Sequence, residues 1–240
     1  MSSDVTSPQS SPTPTLIRTR DFVDSAVALI CEAGREAIDS RGFFRLGLAG
    51  GSTPKAIYEA LAAQPNPFSW EKVIITFGDE RCVPPDDAAS NYRMACESLL
   101  SRVSIPSAQV LRIRGEIPAA QAAAECESQL ADIAKRMGEA VYSHDLLLLG
   151  LGEDGHTASL FPGSPALEER ERTVIPAFGP KPPPQRVSFT FPLINASRHI
   201  VFLLNDPAKE PVLQEVLSGQ HPAARVCPNN GRVTWVIGER

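Results

Sequence analysis

Residues Leu146–Pro165 read LLLLGLGEDGHTASLFPGSP. Four consecutive leucines are too short for a buried helix and too uniformly apolar for a strand with one wet face. Such a run fits a strand covered on both sides, as in a parallel sheet. The run then empties into Gly150, Gly152 and Gly155, with Glu153, Asp154 and His156 among them. A glycine-rich loop that carries charge at the end of a buried strand can bind a ligand, perform acid–base chemistry, or simply turn a corner.

Outward from that stretch, apolar runs of strand length alternate with segments of helical spacing. Strands are expected at 16–20, 44–49, 73–77, 110–113, 145–149, 173–177, 186–191, 199–204 and 232–237. Helices are expected at 21–39, 54–63, 91–103, 119–138 and 210–218. Repeated strand–helix units imply an α/β fold: an open, mostly parallel, Rossmann-like sheet with helices on both faces. Residues 15–240 read as a single domain. The preceding 1–14, rich in Ser, Thr and Pro, lacks the apolar residues needed to offset the entropy of ordering and is expected to be disordered.

Composition narrows the function. Of 240 residues 42% are hydrophobic and 21% charged, which suffices for a sizeable core. A net charge of −5 gives no basic footprint for nucleic acid. No apolar run approaches the roughly 18 residues that span a membrane, and the N-terminus has no signal-peptide core. Five cysteines without a C-x-x-C pair suggest neither a disulfide framework nor a zinc ribbon, so a reduced, cytoplasmic protein is expected.

Three clusters directly follow expected strands: Gly50-Gly51-Ser52-Thr53-Pro54 after 44–49, Gly78-Asp79-Glu80-Arg81 after 73–77, and Gly150 to His156 after 145–149. Ligands of open parallel sheets bind at the carboxyl ends of the strands, so the three loops point to one crevice. In the first loop, Ser52 or Thr53 can cap a helix with Pro54 at its first position, leaving N–H groups that favour an anion. The second offers an arginine for bidentate phosphate binding, with Asp79 or Glu80 to orient it. In the third, G-x-G-x-x-G has the outline of a dinucleotide turn, but Pro162 and Pro165 forbid the long helix that motif needs. Of four histidines only His156 lies in a glycine-rich loop at the crevice, where an imidazole can act as a general base near neutral pH. No spacing of metal ligands is present.

Several segments carry a resemblance. LAGGSTPKAIYEAL (48–61), ITFGDERCVPPDDAASNYRMA (75–95), DLLLLGLGEDGHTASLFPGSPAL (145–167), KPPPQRVSFTFPLINASRHIVFLL (181–204) and the later GRVTWVIG together cover most of the chain. They resemble the 6-phosphogluconolactonases, within the wider family that includes the glucosamine-6-phosphate deaminases. The deaminase loop shares D-G-H but continues with an Asn-Glu-Pro type segment, whereas here Thr157-Ala158-Ser159-Leu160-Phe161-Pro162 follows. Ala49 stands where a serine is common, and Pro211 interrupts the early turns of the helix after NDPAKE, which leaves the placement of Lys209 open.

The resemblance implies hydrolysis of 6-phospho-D-glucono-1,5-lactone in the oxidative pentose phosphate pathway with neither metal nor cofactor, and a monomer is expected. His156 would be the base and Asp154 its orienter. Phosphate would sit on the Gly51–Ser52–Thr53 helix start with charge from Arg81 and Lys181. Gly50, Asp79, Gly152, Gly155 and Arg186 complete the expected substrate-binding set. Two other readings stand beside this one: an aldose–ketose isomerase or deaminase with Asp79 as base, and a sugar-phosphate sensor without catalysis.

Overall fold

The computed structural model describes residues 13–239. Residues 1–12, and the disorder expected of them, lie outside the described residues. In chain order the elements are β1 (Thr15–Thr19), α1 (Phe22–Arg41), β2 (Phe44–Leu48), α2 (Ser52–Ala62), β3 (Val73–Phe77), β4 (Asp79–Arg81), α3 (Asn91–Ser98), α4 (Ala119–Arg136), β5 (Leu146–Gly150), β6 (Val174–Phe178), β7 (Gln185–Phe189), α5 (Phe191–Asn195), β8 (His199–Leu204), α6 (Glu210–Leu217) and β9 (Arg232–Gly238).

Six strands form a parallel sheet in the order β1-β9-β8-β5-β2-β3, flanked by helices. The sequence of each strand matches its place. Interior strands FRLGL and HIVFLL are buried at every position, and LLLLG at all but its last residue. Edge strand β1, TLIRT, is largely exposed. α1 buries Phe22, Ala26, Val27, Ile30, Cys31, Gly34 and Ala37, a stripe at helical spacing. It ends where Gly42, at φ 84°, donates its N–H to the Ile38 carbonyl.

The topology fixes where a ligand can enter. From β2 the chain moves outward to β3, and from the neighbouring β5 it moves the other way to β8. Between two such strands the connections part, and a crevice opens beyond their carboxyl ends. The loops that leave β2 and β5 there are GGSTP and GLGEDGH.

Part of the structure departs from the sequence reading. A second, three-stranded antiparallel sheet, β4-β7-β6, was not expected. Gly78 is the pivot between the two sheets, donating to the Leu48 carbonyl of the large one and accepting from Phe189 N of the small one. Residues 110–113 do not form a strand. Val110 makes one isolated bridge to Ile75, and of the apolar residues in VLRI it is Ile113 that enters the core, without a ladder. The helix expected over 91–103 stops at Ser98 and gives way to a 3-10 turn at Leu100–Arg102. The strand expected at 186–191 ends at Phe189, because Thr190 and Pro192 start the short α5.

Candidate active site

A cleft of about 510 Å³ opens at the parting of β2 and β5. The loop after β2 contributes Gly50, Gly51, Ser52 and Thr53; β4 contributes Asp79 and Arg81; the loop after β5 contributes Gly152, Asp154 and His156. Lys181 comes from the segment leading into β7, and Arg186 from β7 itself. Gly155 does not line the cleft. It turns the loop at φ 73°, and a Cβ there would meet His221 Cβ at 2.4 Å.

The start of α2 differs from the expected cap. Gly51, at φ 105° and ψ 175°, is the N-cap, no side chain caps the helix, and Pro54 is its third residue. The first turn contains no acidic residue, so the positive end of the helix dipole is uncompensated where it meets the cleft. The turn is held from below by Tyr58, whose hydroxyl accepts from Ala49 N and donates to Ala49 O, both at 2.9 Å.

His156 is held on one side only. Its Nδ1 lies 2.5 Å from Asp154 Oδ1, and the same oxygen accepts the His156 backbone N–H at 3.2 Å. With the Nδ1 proton directed at a carboxylate, Nε2 carries the free lone pair. Burial pushes the Asp154 carboxyl up, but the His156 hydrogen bond, the charge of His156 and backbone N–H donors together outweigh it and hold the group below its usual range. The ring packs on Phe161, with centroids 4.3 Å apart. Gly152 makes the arrangement possible: a Cβ there would lie 2.0 Å from His156 Nδ1. A carboxylate-oriented imidazole with an open nitrogen can abstract a proton from water.

The acids of GDER serve the scaffold. Asp79 Oδ2 accepts from Ser159 Oγ at 2.5 Å and Oδ1 from Asn91 Nδ2 at 3.0 Å, so both oxygens already have donors. Buried Glu80 accepts the backbone N–H groups of Arg81, Asn91 and Tyr92 and the hydroxyl of Ser90, closing the N-terminus of α3. Burial raises its carboxyl, and those backbone donors oppose the rise. Neither acid orients Arg81. The Ala89 carbonyl does so, accepting from Nη1 at 2.6 Å.

Arg81 and Arg186 stand directly opposite each other in the β4–β7 ladder. Like charges so placed repel. Among the described residues neither guanidinium joins an ion pair, and the Nε atom of each is buried without a hydrogen-bond partner. Burial, and then the charge of Arg81, pull the Arg186 guanidinium down from its usual value. Two cations without an ion-pair partner on the wall of a cleft can receive an anion.

The family assignment now has its geometry. The model of the glucosamine-6-phosphate isomerases/6-phosphogluconolactonase family matches residues 18–235. The chain belongs to this family. The human 6-phosphogluconolactonase is 40% identical over 220 residues, covering 88% of this chain and 83% of that protein. The Synechocystis 6-phosphogluconolactonase is 40% identical over 225 residues, covering 89% and 90%. The crystal structure of 6-phosphogluconolactonase from Thermotoga maritima superposes with a TM-score of 0.83 at 31% identity, over 94% of this chain and all of that one. That of Trypanosoma brucei gives 0.81 at 31% identity, over 94% and 96%.

In this family member one residue the sequence reading left open lines the cleft, and two it passed over support the wall behind it. Lys209 reaches it and donates Nζ to the Leu151 carbonyl at 2.7 Å. Pro211 does not prevent this, because it is the second residue of α6, where no intrahelical N–H bond is lost. Asn91 and Ser159 brace Asp79 without a motif of their own; Asn91 packs so tightly on Gly50 that a Cβ there would meet it at 2.0 Å.

Proposed function

We propose that this chain hydrolyses 6-phospho-D-glucono-1,5-lactone to 6-phospho-D-gluconate, the reaction named in its relatives, through a single α/β domain of residues 15–240. The observation that carries the reading is one cleft that holds both the Asp154-oriented His156 and the Arg81–Arg186 pair. One element suits proton abstraction and the other suits a phosphate.

A δ-lactone is an activated ester, so no covalent nucleophile is required. His156 Nε2 takes a proton from water, and the oxygen adds to the C1 carbonyl. Negative charge develops on the carbonyl oxygen, where backbone N–H groups of the glycine loops can stabilise it. Collapse breaks the bond from C1 to the ring oxygen, which takes the proton back from the imidazolium. The product is the open-chain carboxylic acid, which loses its proton to solvent and leaves as the carboxylate. The imidazolium is stabilised by Asp154 while it exists. Arg81, Arg186 and Lys181, with the Gly51–Ser52–Thr53 helix start, hold the phosphate at the other end of the substrate. General-base assistance of this kind is worth ~10²–10⁴-fold.

The test is acid release from freshly prepared lactone, above the spontaneous rate, with glucosamine 6-phosphate as the comparison substrate. Lactone opening without ammonia release is expected. Ammonia release at a comparable rate would overturn the assignment.

A further inference from the structure

The loop that carries His156 rests on a second histidine. His221 lies in the turn after α6, and its Nε2 is 2.6 Å from Glu215 Oε2 in the last turn of that helix. Its backbone sits at φ 66° and ψ 162°, a region that is essentially reserved for glycine. A histidine is kept there even though glycine would relieve the strain. Residues held in strained conformations cluster at sites where the conformation itself serves function.

What His221 touches gives the reason. A Cβ on Gly155 would lie 2.4 Å from His221 Cβ, 2.5 Å from Cγ and 3.1 Å from Cδ2, so the Gly155 backbone lies flat against the imidazole stem. Two residues further on, Ala223 N donates to the Gly155 carbonyl at 3.0 Å. The next residue after Gly155 is His156. At the other end of α6, the N-cap residue Lys209 donates to the Leu151 carbonyl. α6 therefore grips the 151–156 loop at both ends, through Lys209 at its start and the Glu215–His221 pair at its finish.

We propose that Glu215 and His221 form a positioning pair for His156, with His221 as the floor on which Gly155 is seated and Glu215 fixing the ring that forms it. The role rests on the reading of His156 as the base. Its action is through the backbone of the loop, and neither residue lines the cleft.

His221→Gly and Glu215→Gln in the full-length protein test it. Glycine relieves the backbone strain, so the melting temperature of His221→Gly should hold or rise. Loss of the floor should lower kcat about 10-fold while KM stays within a factor of two, since a misplaced catalytic group costs rate more than binding. Glu215→Gln, which keeps a hydrogen-bond acceptor, should fall between wild type and His221→Gly. The His156 imidazole signals in an NMR spectrum, assigned by their loss in His156→Asn, should broaden or split in His221→Gly. That readout needs no substrate, so it tests the pair even if wild type leaves the lactone untouched and the functional reading fails instead. Sharp, single His156 signals in His221→Gly, or a kcat equal to that of wild type, would overturn the proposal. A rate that falls only in step with melting temperature would overturn it as well.

Discussion

Asp154 Oδ1 takes up the Nδ1 face of His156 at 2.5 Å and leaves Nε2 open to the cleft. The relationship assigns the two residues different costs on removal. His156→Asn keeps size and hydrogen bonding but cannot accept a proton near neutral pH, so kcat should fall by ~10²-fold or more. Asp154→Asn leaves the base in place but loses its orientation and the partner of the imidazolium. A smaller fall in kcat, about 10-fold or more, is expected. Both rates must be read after subtracting spontaneous lactone opening. Near-wild-type turnover in His156→Asn would move the base elsewhere in the cleft.

The Arg81–Arg186 pair makes opposite demands on stability and activity. Arg186→Met keeps an apolar stem but removes one of two facing cations, and with it the guanidinium that lies over the Phe161 ring. The ligand-free protein should therefore melt no lower than wild type, and inorganic phosphate should raise its melting temperature less. On phosphorylated lactone, kcat/KM should fall by the value of a charge-assisted contact, roughly 1.5–3 kcal/mol or about 10–150-fold. Arg81→Ala and Lys181→Ala should show the same selectivity. Equal losses on unphosphorylated gluconolactone would show that these residues do not read the phosphate.

How much of this was legible follows the range of the interactions. The buried strands FRLGL, LLLLG and HIVFLL announce themselves because burial on both faces leaves an unbroken apolar run. The loops after the first two carry the glycines, so the cleft could be placed. β4 could not be read, because Asp-Glu-Arg has no strand pattern and is extended only by pairing with β7, over a hundred residues on. The Arg81–Arg186 opposition is created by that same pairing. Asn91 and Ser159 are ordinary polar residues until the fold brings them to Asp79. Val110–Ile113 shows the reverse error, since a short apolar run marks burial and does not guarantee a partner strand.

Acid should destabilise the fold through two buried histidines away from the cleft. His144, between Thr76 Oγ1 and Ser197 Oγ, is pushed down to about 3 by burial and then by the charge of Arg45. His199, bonded to Thr234 Oγ1, is pushed down to about 4 by burial and then by the charge of Arg232. Both stay neutral in the folded protein at pH values where the unfolded chain, near 6.5, takes up protons. Their contribution is fully present above about pH 6.5 and is lost as pH falls toward the folded values. The loss between pH 7 and 5 is at most about 4 kcal/mol for the pair. Urea midpoints across this range should show it, and His144→Asn should flatten the slope. A pH-independent midpoint from 7 to 5 would contradict it.

Gly150, the last residue of β5, and Gly152, in the loop after it, should respond differently to a single methyl group. A Cβ on Gly152 would lie 2.0 Å from His156 Nδ1, 2.2 Å from Cε1 and 2.8 Å from Asp154 Oδ1. One on Gly150 would meet nothing within 4 Å. Neither residue has positive φ, so backbone strain does not distinguish them. In Gly152→Ala the imidazole must leave its seat beside Asp154, because the loop backbone is tied by Gly152 N to the His156 carbonyl at 2.9 Å. A displaced base costs rate steeply, by up to ~10²-fold for a shift of about 1 Å. Gly152→Ala should therefore approach His156→Asn in kcat while unfolding within a few degrees of wild type, since the displaced side chain is partly exposed. Gly150→Ala should unfold like wild type and retain at least ten times the kcat of Gly152→Ala. Equal kcat values for the two alanine variants would mean that the space beside Asp154 is not what holds His156 in its working position.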